Sequence, residues 1–327
     1  MRDIDLADDG GAARASSIAH DGAERTRSRA LARRRLRAAP ACSRRKLEPR
    51  ASRTRHDANA VWFRIGERDR RSTTGPTTRP GARAATPPAR WLSTNHLVGD
   101  GYWAWLIPLA SGSHSVGIVA DAKLHPLGDD EHASRRRWTG SQRHQPRLLR
   151  RARRQARRCC RTSPSCATSR TAASRSSRRE RWALTGEAGL FLDPFYSPGS
   201  DFIAIANTYI CELVARDRAG RADRRPRAQL YDQIYHSFYE STLALYTDQY
   251  PMFGDPEVLP VKVIWDYTYY WGVLAQFFFQ RRLADLAALV GAARPSSPHC
   301  QALNVEVQAL LRAWSARARA TRSPTRR

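Results

Sequence analysis

The residues best placed to do chemistry are Gly186, Glu187, Ala188 and Gly189, which follow a short apolar run from Trp182 to Leu184 and precede a loop punctuated by Pro194, Pro198 and Gly199. Beyond the loop, Phe202, Ile203, Ala206, Ile210, Leu213 and Val214 recur at helical spacing, and Ser200 or Asp201 is placed to cap the helix start. Strand, small-residue turn, loop and helix N-terminus in this order can turn free N–H groups and the positive end of the helix dipole toward a phosphate or another anion. The competing reading is a structural turn whose glycines supply positive φ, and local pattern does not separate the two. Metal and thiol chemistry are not expected. The six cysteines, Cys42, Cys159, Cys160, Cys166, Cys211 and Cys300, form no CxxC pair and no HExxH accompanies them, so no metal ligand is assigned and a reduced, cytoplasmic setting is expected.

The elements that must position this segment fall on patterned islands. In Gly101 to Leu109, Trp103, Trp105 and Ile107 alternate with Tyr102, Ala104 and Leu106, the period of a strand with one large aromatic face, and Pro108 suits its end. A turn over Ala110 to Ser113 leads into Ser115 to Asp121, where Val116, Ile118 and Ala120 share a face. With Val61 to Ile65 and Trp91 to Leu97, this makes about four antiparallel strands. After Pro226, helices are expected over roughly 228–249, 260–290 and 300–320. They carry dense aromatic stripes, Tyr231, Tyr235, Phe238, Tyr239 and Tyr246, then Trp265, Tyr269, Tyr270, Trp271 and Phe277 to Phe279. Such stripes are core or the wall of a planar-ligand pocket. The run from Val261 to Phe279 is too polar to span a membrane, because it carries Lys262 and Asp266. The first residues are acidic rather than a basic segment leading into an apolar one, so no signal peptide is expected.

The net charge of +26 is blocked rather than spread: residues 1–90 hold 22 basic against 10 acidic side chains, and residues 135–182 hold 17 against 1. Segments such as 25–46 and 147–181 are nearly free of aromatics and cannot bury enough apolar surface to offset their ordering entropy. A solvated linker, an arginine-rich arm for nucleic acid, and GC-rich DNA read out of frame are the three readings. Without aromatic or Asn/Gln interleaving there is no base readout, so nucleic acid is not the expected partner. Abrupt returns to patterned sequence at Val61 and near Trp182 favour frame slips. The organisation expected is 1–60 and 135–181 as arginine-rich, disordered or out of frame, 61–134 as an antiparallel sheet, 182–217 as the turn and its helix, and 218–327 as a helical region.

Trp103 to Pro108, read as WAWLIP, fits the WxWxIP motif of the flavin-dependent halogenases, and the segment 186–205 resembles the second flavin-binding segment of that family and of the related aromatic hydroxylases. The resemblance implies an α/β (α+β) fold of flavin monooxygenase type. Its parts would be an antiparallel substrate sheet, part of an FAD-binding domain and a helical C-terminal region. It places Gly186, Glu187, Ala188 and Gly189 along the ribityl and pyrophosphate of FAD, and the loop containing Asp193, Pro194, Ser197, Gly199 and Ser200 against the flavin ring. Trp103, Trp105, Ile107 and Pro108 would keep substrate and flavin apart. The implied chemistry is that of reduced FAD, supplied by a flavin reductase, meeting oxygen to give a C4a-hydroperoxide that a halide attacks. The hypohalous acid formed is relayed by a lysine to an aromatic small molecule.

Three departures from the family pattern stand in the sequence. No GxGxxG is present, since Asp9-Gly10-Gly11-Ala12-Ala13 has neither the preceding apolar strand nor the spacing. No lysine matches the halogenating one, so no catalytic residue is assigned. Pro198 sits where the family holds halide on backbone N–H groups, and it has none. The chain is thus expected to be a truncated halogenase-like oxidoreductase that does not turn over as written. A flavin-dependent hydroxylase or dehydrogenase of the same fold and a basic nucleic-acid-binding protein are the alternatives.

Overall fold

A computed structural model of the chain describes residues 3–6, 13–18, 24–29, 32–34, 51–52, 56–65, 93–126, 165–169, 172–173, 182–186, 189–290 and 298–321. The arginine-rich stretch 135–164, the glycines of the Asp9 to Ala12 turn, and Glu187 and Ala188 lie outside the described residues. The chain divides into two compact units, one of Met1–His56, Ser169–Thr247 and Lys262–Leu311, the other of Asp57–Thr168, Asp248–Val261 and Arg312–Arg327.

In the first unit, β1 (Asp3–Leu6), β2 (Ala13–Ile18) and β3 (Glu24–Arg29) form an antiparallel sheet in sequence order, followed by the short strands β4 (Ala32–Arg34) and β5 (Ala51–Ser52). The sheet centred on the second unit takes β6 (Ala58–Ile65), β7 (Asn95–Gly99), β8 (Tyr102–Pro108), β9 (His114–Asp121) and β10 (Ser165–Ser169) in the order β10-β6-β9-β8-β7. Further on, β11 (Ala172–Ala173) pairs antiparallel with β5. The short strand that carries the glycine turn, β12 (Trp182–Leu184), pairs parallel with β4, Trp182 opposite Ala32 and Leu184 opposite Arg34. Parallel and antiparallel pairings beside long helices make the expected mixed α/β architecture.

The four antiparallel strands read from the sequence are present, with one shift of register. The strand expected over Trp91 to Leu97 runs Asn95–Gly99, because Asp100 and Gly101 make a two-residue hairpin that fixes Gly99 opposite Tyr102. Gly101 has φ 77, the conformation that such a turn requires, and its N–H donates to the Tyr250 carbonyl at 3.0 Å. On β8, Tyr102, Ala104 and Leu106 are buried together with Trp103, so apolar residues of both faces are covered. Trp105 lies across β9 at its partner Gly117, whose missing Cβ leaves room for the indole.

Helix α1 (Pro198–Arg218) begins earlier than its sequence suggests: Ser197, and not Ser200 or Asp201, is the N-cap. Its buried face is Phe202, Ile205, Ala206 and Tyr209, which leaves Ile203 38% exposed instead of in the core. Helix α2 (Arg224–Leu243) buries the first aromatic stripe, and each tyrosine hydroxyl finds a carbonyl: Tyr231 that of Ala284, Tyr235 that of Phe202, Tyr239 that of Phe191. The long helix expected over 260–290 is divided. α3 (Val258–Tyr269) runs into a π-turn at Tyr270–Leu274 and then α4 (Ala275–Phe279), after which Arg281 at φ 56 ends the run before α5 (Leu286–Val290). Helix α6 (Pro298–Thr321) completes the fold. The second aromatic stripe is largely not core: Trp271, Phe278 and Phe279 are 49%, 56% and 62% exposed. The reason lies on α3, which turns its two charged residues, Lys262 and Asp266, inward and Ile264 and Tyr267 outward. Among the described residues no helix is long and apolar enough to cross a membrane.

Candidate functional site

The loop between the glycine turn and α1 is held from both ends. At its start Gly186, φ 63, accepts hydrogen bonds from the N–H groups of Gly189 and Leu190 at 2.9 and 3.1 Å. A Cβ on Gly186 would stand 3.3 Å from Ile203 of α1, and one on Gly189 would stand 3.2 Å from Leu184, so both glycines allow close packing as well as the turn. Asp193 is fully buried. One of its oxygens accepts the Phe195 N–H at 2.8 Å and the other meets His56 Nε2 at 2.8 Å, so the carboxylate clamps the loop to His56 of the same unit. A four-residue turn follows, closed by the Ser197 N–H on the Pro194 carbonyl at 2.9 Å.

Within that turn two consecutive residues lie in the left-handed region, Tyr196 at φ 66 and Ser197 at φ 58. Neither is glycine, and each costs about 1 kcal/mol or more. Strain of this kind persists only where the surroundings impose it. Here Phe195 is buried and its carbonyl accepts the Tyr246 hydroxyl at 2.8 Å, while the Tyr196 hydroxyl is drawn to Asp266 at 3.0 Å. Ser197 makes no side-chain cap and Pro198 fills the first helical position, where a missing N–H breaks no helical bond. The α1 start therefore has no side-chain cap from its own N-cap residue.

This N-terminus, the end of α2, Asp266 and Tyr267 of α3 and the first residue of the π-turn enclose a cavity of about 320 Å³. Its walls are mostly aromatic: Tyr196, Tyr246, Tyr267 and Tyr270. Two carboxylates face it, Asp201 and Asp266. Burial raises the Asp201 carboxyl above its ordinary range, against a hydrogen bond from Tyr270 that lowers it. Asp266 is raised too, burial outweighing Lys262, Gln308 and Tyr196, which all favour its anion. The Tyr196 and Tyr246 phenols are pushed well up, first by burial and then by neighbouring carboxylates, so both stay protonated.

Behind the cavity wall lies a buried polar network. Lys262 is 0% exposed, and its Nζ donates to Asp266 Oδ2 at 2.6 Å, the Leu245 carbonyl at 2.9 Å and Gln308 Oε1 at 3.1 Å. Gln308 Nε2 donates to Asp266 Oδ1 at 2.8 Å. Trp265 Nε1 reaches Asn304 Oδ1 at 3.0 Å, whose amide serves the Ser241 carbonyl. All three ammonium donors are used, so Lys262 is a counter-charge and has no free lone pair with which to carry a group.

Of the residues singled out from sequence, Ser197 and Ser200 line the cavity; Gly186, Gly189, Asp193, Pro194 and Gly199 form its approach and scaffold in the same unit. Glu187 and Ala188 lie outside the described residues. Trp103, Trp105, Ile107 and Pro108 sit on β8 in the other unit. Trp103 is 1% exposed and donates to the Tyr250 hydroxyl at 2.8 Å, and Trp105 donates to Ser115 Oγ at 3.1 Å. Tyr196 belongs to the loop that the family resemblance places against the flavin ring and Asp201 was expected only as a cap, while sequence reading gave no site role to Lys262 and Asp266. The signal for the last two was present: opposite charges at i and i+4 inside an apolar helix can be buried together only as a pair. Among the described residues no group of His, Cys, Asp and Glu could hold a metal ion.

A glycine turn, a strained aromatic loop, a helix start and an aromatic cavity thus come together within one unit of an α/β fold. The chain is similar to the flavin-dependent halogenase chlA of Dictyostelium discoideum, 23% identical over 208 residues that cover 55% of this chain and 30% of that protein. In structure it is similar to the halogenase PltM (TM-score 0.66, 17% identity, 98% of this chain and 64% of the other) and to the flavin-dependent brominase Bmp2 (TM-score 0.58, 15% identity, 98% and 70%). No protein-family model matches the chain. The fold is that of the flavin-dependent halogenases, and the chain is halogenase-like in sequence as in fold, while it spans about a third of the curated relative's length and just under two thirds of PltM.

Proposed function

We propose that this chain carries the ring-facing half of a flavin site and the adjoining aromatic-substrate site of a halogenase-like oxidoreductase. The observation that carries this is the left-handed Tyr196–Ser197 pair delivering the chain into a helix start whose N-cap residue makes no side-chain cap. The internal contacts that impose this strain leave the loop in a shape suited to lie against a flat ligand. The donor set suits a flavin ring. The N-cap side chain makes no bond to the α1 start, and a Cβ placed at Gly199 would meet nothing within 4 Å, so the backbone there has room for the edge of a planar group beside Asp201 of the first turn. One relative, PltM, has been crystallised with phloroglucinol and FAD. Once bound and reduced by a separate reductase, FAD would supply the oxygen chemistry. The chain's own residues orient it: Asp193 and His56 hold the loop, α1 supplies a positive end, and the tyrosines provide a water-poor aromatic wall.

Since the sequence contains no GxGxxG, the adenosine half of the cofactor should add little to affinity. Titrating the chain with FAD and with riboflavin, followed by flavin fluorescence quenching, tests both points. We expect quenching by both, with affinities within about threefold of one another. Absence of quenching would overturn the proposal. Pro198 favours a second outcome, hydroxylation rather than halogenation, because the first helical position offers no N–H to a halide. Product analysis of the reductase-coupled reaction with and without bromide separates the two.

A further inference from the structure

We infer that Tyr196 and Asp266 form a directional acceptor for the hydroxyl of an aromatic ligand in the cavity: the ligand O–H donates to Tyr196 Oη, whose own proton is committed to Asp266. The inference rests on the proposed reading of this cavity as the aromatic-substrate site and assigns its specificity. The direction follows from the network. Lys262 can only donate, at 2.6 Å, and Gln308 presents its amide N–H to the other carboxylate oxygen at 2.8 Å, so Asp266 is held as an acceptor. Tyr196 must then donate to it, over 3.0 Å, and what its oxygen has left for the cavity is a lone pair. The same residue lies in the left-handed region, together with Ser197, and its backbone is bent where this phenol meets this carboxylate. A site that accepts a hydrogen bond at a buried position rejects an analogue unable to donate one, because its own polar atom is left unpaired.

The walls match such a ligand. Tyr196 meets Tyr267 edge to face at 5.5 Å and Tyr246 at 6.4 Å, Leu245 and Pro198 add apolar surface, and 320 Å³ is at the small end of ligand sites, suited to one or two rings. Tyr196 would touch the ligand. Asp266 would act through it as a positioning residue.

The test is a ligand-observed NMR titration of the full chain with resorcinol and with 1,3-dimethoxybenzene, equal in ring and unequal in donors. Wild type should prefer resorcinol at least about tenfold, the range of a hydrogen bond into a charged pair. Tyr196→Phe should erase the preference while leaving the ether's affinity within about twofold. Asp266→Asn, whose oxygen must stay turned to Lys262, should weaken the preference, since a neutral acceptor holds the Tyr196 proton less firmly than a carboxylate, whereas Asp266→Glu, which keeps the carboxylate, should retain more of it. A structural role alone would not make the outcome depend on acceptor character. If Asp266→Asn does not fold, Tyr196→Phe decides, as it removes a single oxygen. No preference in wild type, binding of neither ligand, or a preference that survives Tyr196→Phe overturns the inference. Riboflavin quenching on the same samples keeps the two readings apart: a preference without quenching supports the acceptor and refutes the flavin site, and quenching without a preference does the reverse.

Discussion

Replacing Lys262 by Met tests the buried network most directly. The ammonium is 0% exposed and makes three hydrogen bonds at 2.6, 2.9 and 3.1 Å, so Lys262→Met keeps most of the side-chain volume and removes every one. Asp266 keeps the Tyr196 hydroxyl and the Gln308 amide, but loses its counter-charge while only 2% exposed. Leaving one partner of a buried pair uncompensated costs about 3–5 kcal/mol. The loss should depend on pH, with a definite sign. Burial already raises the Asp266 carboxyl above its ordinary value, and removing the ammonium raises it further. A carboxyl raised in the folded state favours folding when protonated, so the deficit is complete above its folded pKa and shrinks as pH falls toward the ordinary carboxylate range. Urea unfolding followed by tryptophan fluorescence, at neutral pH and near pH 4, should show a large gap between wild type and variant that narrows on acidification. Lys262→Met with Asp266→Asn should recover more than half of it, as the stranded charge is gone. A single variant within about 1 kcal/mol of wild type at neutral pH, or a gap that widens in acid, would refute the account.

Other expectations are simpler to check. Ser197→Gly relieves a left-handed residue whose side chain makes no cap bond, and should stabilise the protein by about 0.5–1 kcal/mol in thermal melts. Tyr246→Phe deletes a buried hydroxyl bonded to the Phe195 carbonyl at 2.8 Å and should cost about 1 kcal/mol in urea unfolding, with lowered flavin or aromatic-ligand affinity if the loop loosens. Trp103→Phe opens space in the core and removes the indole hydrogen bond to the Tyr250 hydroxyl, so it should cost about 2–3 kcal/mol, more than Trp105→Phe, whose indole is only half-buried.

Much of the framework was legible because it depends on local rules. Period-2 alternation located β8 and β9, the glycines of the turn and the punctuated loop located the approach to α1, and two motifs together pointed to the halogenase-like family. Boundaries failed where one residue decides. The Asp100–Gly101 hairpin reset β7, and Pro198 at the first helical position moved the α1 cap to Ser197. The face of α3 failed for a different reason. Hydrophobic periodicity assumes that charge faces water, and here a Lys and an Asp one turn apart neutralise each other inside while Ile264 and Trp271 remain exposed.

Sequence by itself therefore determined the strand alternation, the glycine turn leading into a helix, the absence of a GxGxxG and the family resemblance, since each is written in the spacing of neighbouring residues. Only the tertiary structure decided what gathers around the cavity. Tyr196, Asp201, Tyr246 and Asp266 come from a loop, α1, the turn after α2 and α3, and Gln308 reaches Asp266 from 42 residues away. That meeting is set by packing, which also holds a left-handed tyrosine against a buried carboxylate.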